Sequence, residues 1–235
     1  MTTCGWVGDI RGAHDPWVVG AVSFRFVGDD MVPTAAGKGV RRVLVVEVDP
    51  GRVELLLRRE RLTCPGCGGP LAGWGYARPR AVRDRFGEVL RLRPRRVRCS
   101  ACSATHVLLP EAVLPRRADA ARVVGAGLEM AAAGLGHRRI AAELGLPADT
   151  VRGWVRRFAE YAEAIRSLFT VVLVALAEDP VLPSPGRSRA ADAVAAVVAA
   201  ARAARRRWDL KGLSTWWFAC RVSRGRLLAP RTPPE

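Results

Sequence analysis

The sequence predicts an α+β protein: a small β unit bracketed by cysteines, then a mainly α domain and a helical C-terminal tail. Three observations carry that prediction. Four of the six cysteines form two Cys-x-x-Cys pairs, Cys64/Cys67 and Cys99/Cys102, around a stretch that reads as paired strands. From about residue 119, apolar residues recur at helical spacing. Between residues 179 and 188 the chain becomes proline-rich, and an Ala-rich run follows.

Residues 1–40 are Gly-rich without a sustained period, and are expected to be irregular or disordered. Organised sequence begins just after Met31, an alternative start. Residues 41–110 hold a lead-in and the cysteine-bracketed unit. Val43 to Val48 reads as a strand, and Asp49-Pro50 as a helix start: a capping oxygen, then proline at the first helical position. That helix should reach about Arg61. Leu71 to Val82 and Glu88 to Arg98 read as two strands of a hairpin that turns near Phe86-Gly87. Pro94 implies an edge or a bend. Trp74 and Tyr76 read as core or hairpin packing.

Residues 111–178 form the helical domain. Ala120, Val123, Val124, Gly127, Leu128 and Ala131 share one helical face, and Gly134 and Gly136 stop that helix. A second helix runs from about His137 to Leu144, and Gly145-Leu146-Pro147 makes a tight turn. A third starts near Ala148, with the stripe Val151, Trp154, Val155, Phe158, Ala162 and Ile165. Residues 179–188 are a linker. Residues 189–235 hold a helix from Ala190 to Arg207 and then Trp208, Trp216, Trp217 and Phe218. Aromatic surface of that size needs cover, from the long helix or from a second copy.

The cysteine pairs point to structural zinc. Two residues between cysteines let one turn aim both sulfurs at one ion, and four thiolates close the tetrahedron. Pro65 and Gly66 suit such a turn, and a β-hairpin accounts for the long gap from Cys67 to Cys99. The competing reading is a redox dithiol. His106 can substitute for a ligand, but reads better as a polar residue on the strand leaving Cys102. The N-terminus lacks the basic-then-apolar order of a secretory leader, and no run reaches the roughly 18 apolar residues of a membrane span. A cytoplasmic, nucleoid-associated protein without a membrane partner is expected.

The net charge of +16 favours a polyanionic partner. Of the 38 basic residues only Lys38 and Lys211 are lysine, as a G+C-rich genome would produce. Such a bias selects Arg over Lys but does not explain the scarcity of acids.

The stretch from His137 to Arg157 has the pattern of a helix-turn-helix. Ala141 is small where two helices must cross, Gly145 serves the turn, and Ile140, Leu144, Leu146, Val151 and Trp154 supply a shared core. The remaining face of the third helix carries Asp149, Arg152, Gly153 and Arg156, flanked by Thr150 and Arg157. Arg152 suits guanine, whose O6 and N7 accept both prongs of a guanidinium. Arg156, Arg157, Arg138 and Arg139 suit phosphates, as do Arg93, Arg95 and Arg96 on the hairpin. The alternative is a helical hairpin used for protein contacts.

Cys-Pro-Gly-Cys-Gly, Trp74-Gly-Tyr-Ala-Arg, Leu-Arg-Pro-Arg-Arg-Val-Arg-Cys, Thr105-His-Val-Leu-Leu-Pro and Gly136-His-Arg-Arg-Ile-Ala together resemble an actinobacterial zinc-ribbon plus helix-turn-helix family of unknown function. The order is similar to the N-terminal DNA-binding half of insertion-sequence transposases. The resemblance spans about residues 43–170. It implies binding to terminal repeats or operators, and no established activity.

Past Phe169 the acids are Glu178, Asp179, Asp192, Asp209 and Glu235, on a proline-rich and Ala-rich tail unlike the sheet that carries a transposase's metal-binding carboxylates. The expected protein is therefore no enzyme. It binds double-stranded DNA as an accessory or truncated mobile-element protein, partnered by a transposase or by itself as a homodimer. A transcriptional regulator is the alternative. An RNA-binding ribbon is a third reading, kept open by Trp74 and Tyr76.

Overall fold

The computed structural model describes residues 42–46 and 48–228. Cys4, the start at Met31 and the other features of residues 1–40 lie outside the described residues.

The cysteine-bracketed unit is built from six strands and one helix. Strand β1 (Arg42–Val46) leads into α1 (Pro50–Arg58), where the Asp49 carboxylate accepts from the Gly51 amide at 2.9 Å as the cap requires. Strands β2 (Leu71–Tyr76), β3 (Arg80–Arg83), β4 (Val89–Leu92), β5 (Arg95–Cys99) and β6 (Thr105–Pro110) follow. They form a four-stranded sheet in the order β1-β6-β5-β2 and a two-stranded β3-β4 sheet. β1 lies parallel to β6, with Val45 opposite Leu109, and the remaining pairs are antiparallel.

The single hairpin expected from the sequence is thus broken into two stacked sections. Each arm breaks at a proline, Pro79 in one and Pro94 in the other. Proline has no N–H for the ladder, so regular pairing stops there. The arms stay joined because the Ala77 amide donates to the Pro94 carbonyl at 2.8 Å.

α1 lies over the four-stranded sheet. Its Val53 and Leu57, one turn apart, pack with Val46, Leu71, Val97 and Leu108 around the buried Cys64 and Cys99.

The helical body comprises α2 (Ala121–Ala132), α3 (His137–Leu144), α4 (Ala148–Glu160), α5 (Ala162–Leu176), α6 (Arg189–Arg207) and α7 (Thr215–Val222). The stripe read as one third helix crosses a break at Tyr161, whose φ of −111° leaves the helical range. The break separates α4 from α5. Val151, Trp154, Phe158, Ala162 and Ile165 are buried as expected, and Val155 is half-buried. α2 is buried on most of its surface, because α3, α4, α6 and α7 all pack against it.

Residues 189–228 pack into this body. α6 packs along α5, and its buried residues are mostly alanine, Ala193, Ala196, Ala200 and Ala204 among them, small side chains that let helices approach closely. Trp216 of α7 covers Gly125 of α2, where an added Cβ would fall about 2 Å from the ring. Its indole N–H donates to Glu129 at 2.7 Å, and Phe218 meets Phe169 at 6.3 Å between centroids.

The segment 111–121, buried at Glu111, Ala112, Val113 and Leu114 and again at Asp119, Ala120 and Ala121, ties the β unit to the helices. The Glu111 amide donates to Val46, Arg221 pairs with Glu111 at 3.2 Å, and Arg83 pairs with Asp119 at 2.8 Å.

Candidate metal centre

Two near-identical turns carry the four cysteines. In the first, the Gly68 amide donates to the Cys64 carbonyl and the Cys64 amide to the Gly69 carbonyl, both at 2.8 Å. In the second, Ser103 donates to Cys99 at 3.0 Å and Cys99 to Ala104 at 2.9 Å. The residue after each second cysteine is left-handed: φ is 75° at Gly68 and 60° at Ser103. Gly69 is needed for space, since a Cβ there would lie 2.7 Å from Ala101 and 3.2 Å from the Cys99 sulfur.

The hairpin brings the turns together, and all four sulfurs lie within 4.8 Å of one another. Cys64 and Cys102 are 3.7 Å apart, and Cys67 and Cys99 are 3.4 Å apart. A disulfide would need about 2.04 Å. A zinc tetrahedron with Zn–S bonds of about 2.3 Å has edges of about 3.8 Å. The cluster therefore fits one tetrahedral ion, and Cys64, Cys67, Cys99 and Cys102 would hold it. Four thiolates leave no open position, so the metal would be structural.

Without a metal the thiols compete for protons. The Gly69 amide favours the Cys67 thiolate, but the neighbouring thiols outweigh it and push Cys67 up to about 12. Burial raises Cys99, yet amides of Cys102 and Ala101 and the Cys67 thiol bring it down to about 7. A divalent cation relieves this crowding by binding all four as thiolates. Cys220 stands apart: burial pushes its thiol up, and its sulfur faces the Val113 carbonyl.

His106 is placed on β6, buried, with Nε2 3.4 Å from the Cys64 sulfur. It lies outside the four-sulfur group and would serve as an outer partner of a bound ion. A metal-bound thiolate can only accept, so Nε2 would carry the proton.

The other expected site residues fall on two surfaces. On α3 and α4, Arg138 and Arg139 are exposed and Thr150 is half-buried. Asp149 and Arg152 pair at 3.1 Å on the exposed face, and Arg156 reaches Glu160 at 3.8 Å. Gly145 makes the turn between the helices with φ 63°. Arg157 is half-buried, and with burial its charge lowers the pKa of Arg117. The Arg117 carbonyl accepts from Arg80.

Arg93, Arg95 and Arg96 sit on the β unit, away from α4 in the chain. Arg95 is engaged, with Nε bonded to Glu54 at 2.7 Å and Nη1 to the Gly75 carbonyl at 2.8 Å. Trp74 and Tyr76, read as packing residues, are instead exposed. β2 is an edge strand, and its side chains past Leu71 face solvent. Nothing in the alternation distinguishes an edge strand from an inner one.

Residues 64–154 match the family described as a domain of unknown function, DUF6431. The matched region begins at Cys64 and ends at Trp154 in α4. No curated protein and no solved structure matches the chain. Among the described residues no helix is long and apolar enough to cross a membrane.

Proposed function

We propose that this chain is a zinc-stabilised protein that binds double-stranded DNA through α4, and that it acts by occupying DNA or recruiting a partner. The observation that carries this reading is the two-faced α4. Val151, Trp154 and Phe158 are buried against the body, while Asp149, Arg152 and Arg156 stand on the exposed side of a helix reached through a tight turn. A helix presented in this way suits the major groove. The charge of +16 supports a polyanionic target.

The Asp149–Arg152 pair does not block the role. Exposed ion pairs contribute about 0–1 kcal/mol, and a bidentate guanine contact discriminates by about 1–3 kcal/mol. The stronger interaction wins, and Asp149 is then available to accept from a cytosine amine. A metal bound by four thiolates offers no site for substrate, which supports a role without chemistry of its own. The resemblance to transposase N-terminal halves supports an accessory role in a mobile element.

Selection of bound sequences from a random duplex pool tests the proposal. Arg152→Ala should flatten preference at one base pair, and Arg156→Ala should weaken all sequences alike. Unchanged binding in both variants would remove α4 as the reading element.

A further inference from the structure

The tip of the β3–β4 hairpin carries a side chain that neither packing nor backbone preference calls for. Phe86 is 97% exposed, more than any other large apolar side chain among the described residues. Its backbone is left-handed, at φ 58° and ψ 28°, a conformation that is costly for a bulky residue and suits glycine or asparagine. Val89, three residues on, is exposed as well.

The ring is held out by a braced turn. The Asp84 amide donates to the Glu88 carbonyl at 2.7 Å, and the Glu88 amide to the Arg85 carbonyl at 3.1 Å. The Asp84 carboxylate accepts from the Arg85 amide at 2.8 Å and from the Arg122 guanidinium of α2. β3 is pinned alongside: the Arg83 amide donates to the Ala118 carbonyl at 2.7 Å, and the Arg83 carbonyl accepts from the Ala120 amide at 2.8 Å. A partner that meets Phe86 therefore has little ordering of the tip to offset.

The charge around the ring is one-sided. Both acids of residues 80–92, Asp84 and Glu88, turn to Arg122, Glu88 at 3.7 Å. Arg85, beside the ring, and Arg91, on β4, are exposed, and neither forms an ion pair with an acid among the described residues.

We propose that Phe86 is a wedge that enters the minor groove of duplex DNA and parts two stacked base pairs, with Arg85 against the adjacent phosphate. A hydrocarbon ring offers no hydrogen bond to base edges. It gains by leaving water for the space between base faces, and the bend that follows brings more of the duplex against the protein. A membrane surface is disfavoured, because one ring buries too little apolar area to anchor a chain. The proposal rests on the duplex reading of α4. The root of the hairpin meets α4 at Arg117, whose carbonyl accepts from Arg80 and whose pKa is lowered by burial and by the nearby charge of Arg157. From Arg80 to Phe86 the chain spans at most about 20 Å. A turn of duplex rises about 34 Å, so a duplex seated on α4 comes within reach of the tip.

The test uses the full, zinc-loaded chain and two duplexes of about 20 base pairs, one fully paired and one with a single central mismatch. Each carries 2-aminopurine beside the central position. A mismatch has already lost part of the stacking that a wedge must break. The native chain should bind the mismatched duplex at least about tenfold more tightly than the paired one, and 2-aminopurine fluorescence should rise as the base unstacks. Phe86→Gly suits the left-handed backbone and so keeps the fold. It should reduce the preference to less than about twofold, abolish the fluorescence rise and still bind the paired duplex. Phe86→Leu should keep most of the preference. An unchanged preference in Phe86→Gly, or no preference in the native chain, overturns the wedge and leaves the α4 reading standing. Failure of the native chain to bind either duplex overturns the α4 reading, and the wedge with it. Binding to phosphatidylserine–phosphatidylcholine vesicles that is lost in Phe86→Gly, without a mismatch preference, overturns the assignment to DNA.

Discussion

His106 Nε2 stands 3.4 Å from Cys64 Sγ, with the ring only 1% exposed. A donor at that distance stabilises a metal-bound thiolate and orients it. His106→Ala should keep one zinc per chain but weaken its affinity about 10–100-fold, as loss of an outer partner typically does. Cys99→Ser should lose stoichiometric zinc and unfold the β unit. Competition with a chromophoric chelator measures both. Unchanged zinc affinity in His106→Ala would show that the contact does not support the thiolate.

The two cysteine turns differ at one informative place. Left-handed φ suits Gly68 but strains Ser103. Gly68→Ala should destabilise the zinc-loaded protein by about 1 kcal/mol, and Ser103→Gly should be neutral or stabilising. Thermal melts at equal zinc occupancy compare the two. A destabilised Ser103→Gly would mean that the serine side chain matters more than its backbone.

Asp84 connects the hairpin tip to α2 through two contacts to the Arg122 guanidinium, and it accepts from the Arg85 amide at 2.8 Å. Burial alone would raise its pKa, but Arg122 and the amide outweigh burial and hold the carboxyl below its ordinary range. The linkage sign follows. The stabilisation is fully present above the unfolded carboxyl value of about 3.9 and is lost as pH falls through the lower folded value. Asp84→Asn should cost about 1–2 kcal/mol at neutral pH and progressively less in acid. Melting curves from pH 7 to 2 would show the gap closing; a gap that widens in acid would contradict the assignment.

Gly125 lies beneath the Trp216 ring with no room for a methyl group. Gly125→Ala should destabilise the body by about 1–3 kcal/mol although alanine favours a helix, because overpacking outweighs propensity. Trp216→Leu should recover part of that loss in the double variant. Simple additivity would mean that the two sites do not touch.

The cysteine cluster was legible because each half is local: one turn and two thiols with two residues between them. The three helices from α2 to α4 were legible for the same reason, through period and the Gly145 turn. Three features were not. β1 pairs with β6, more than fifty residues away, and no short-range pattern encodes that parallel register. The break in the hairpin needed Pro79 to be read jointly with Pro94, since either alone suggests only a bend. Trp74 and Tyr76 alternate as core residues would, and their exposure follows from β2 lying at the sheet edge. The aromatic tail clearly required cover, but its partners Gly125, Glu129 and Phe169 are known only once the chain has folded back.

That folding back determines where the chain can be cut. A fragment trimmed to residues 64–154 would keep both cysteine turns and most of α4, yet lose α1, the β1 edge and the indole resting on α2. Its apolar wounds would promote aggregation, and a negative binding result would reflect the trimming rather than the protein. Expression boundaries for any test of this chain should therefore be drawn no tighter than Arg42 and Leu228, outside every element that contributes to the shared interior.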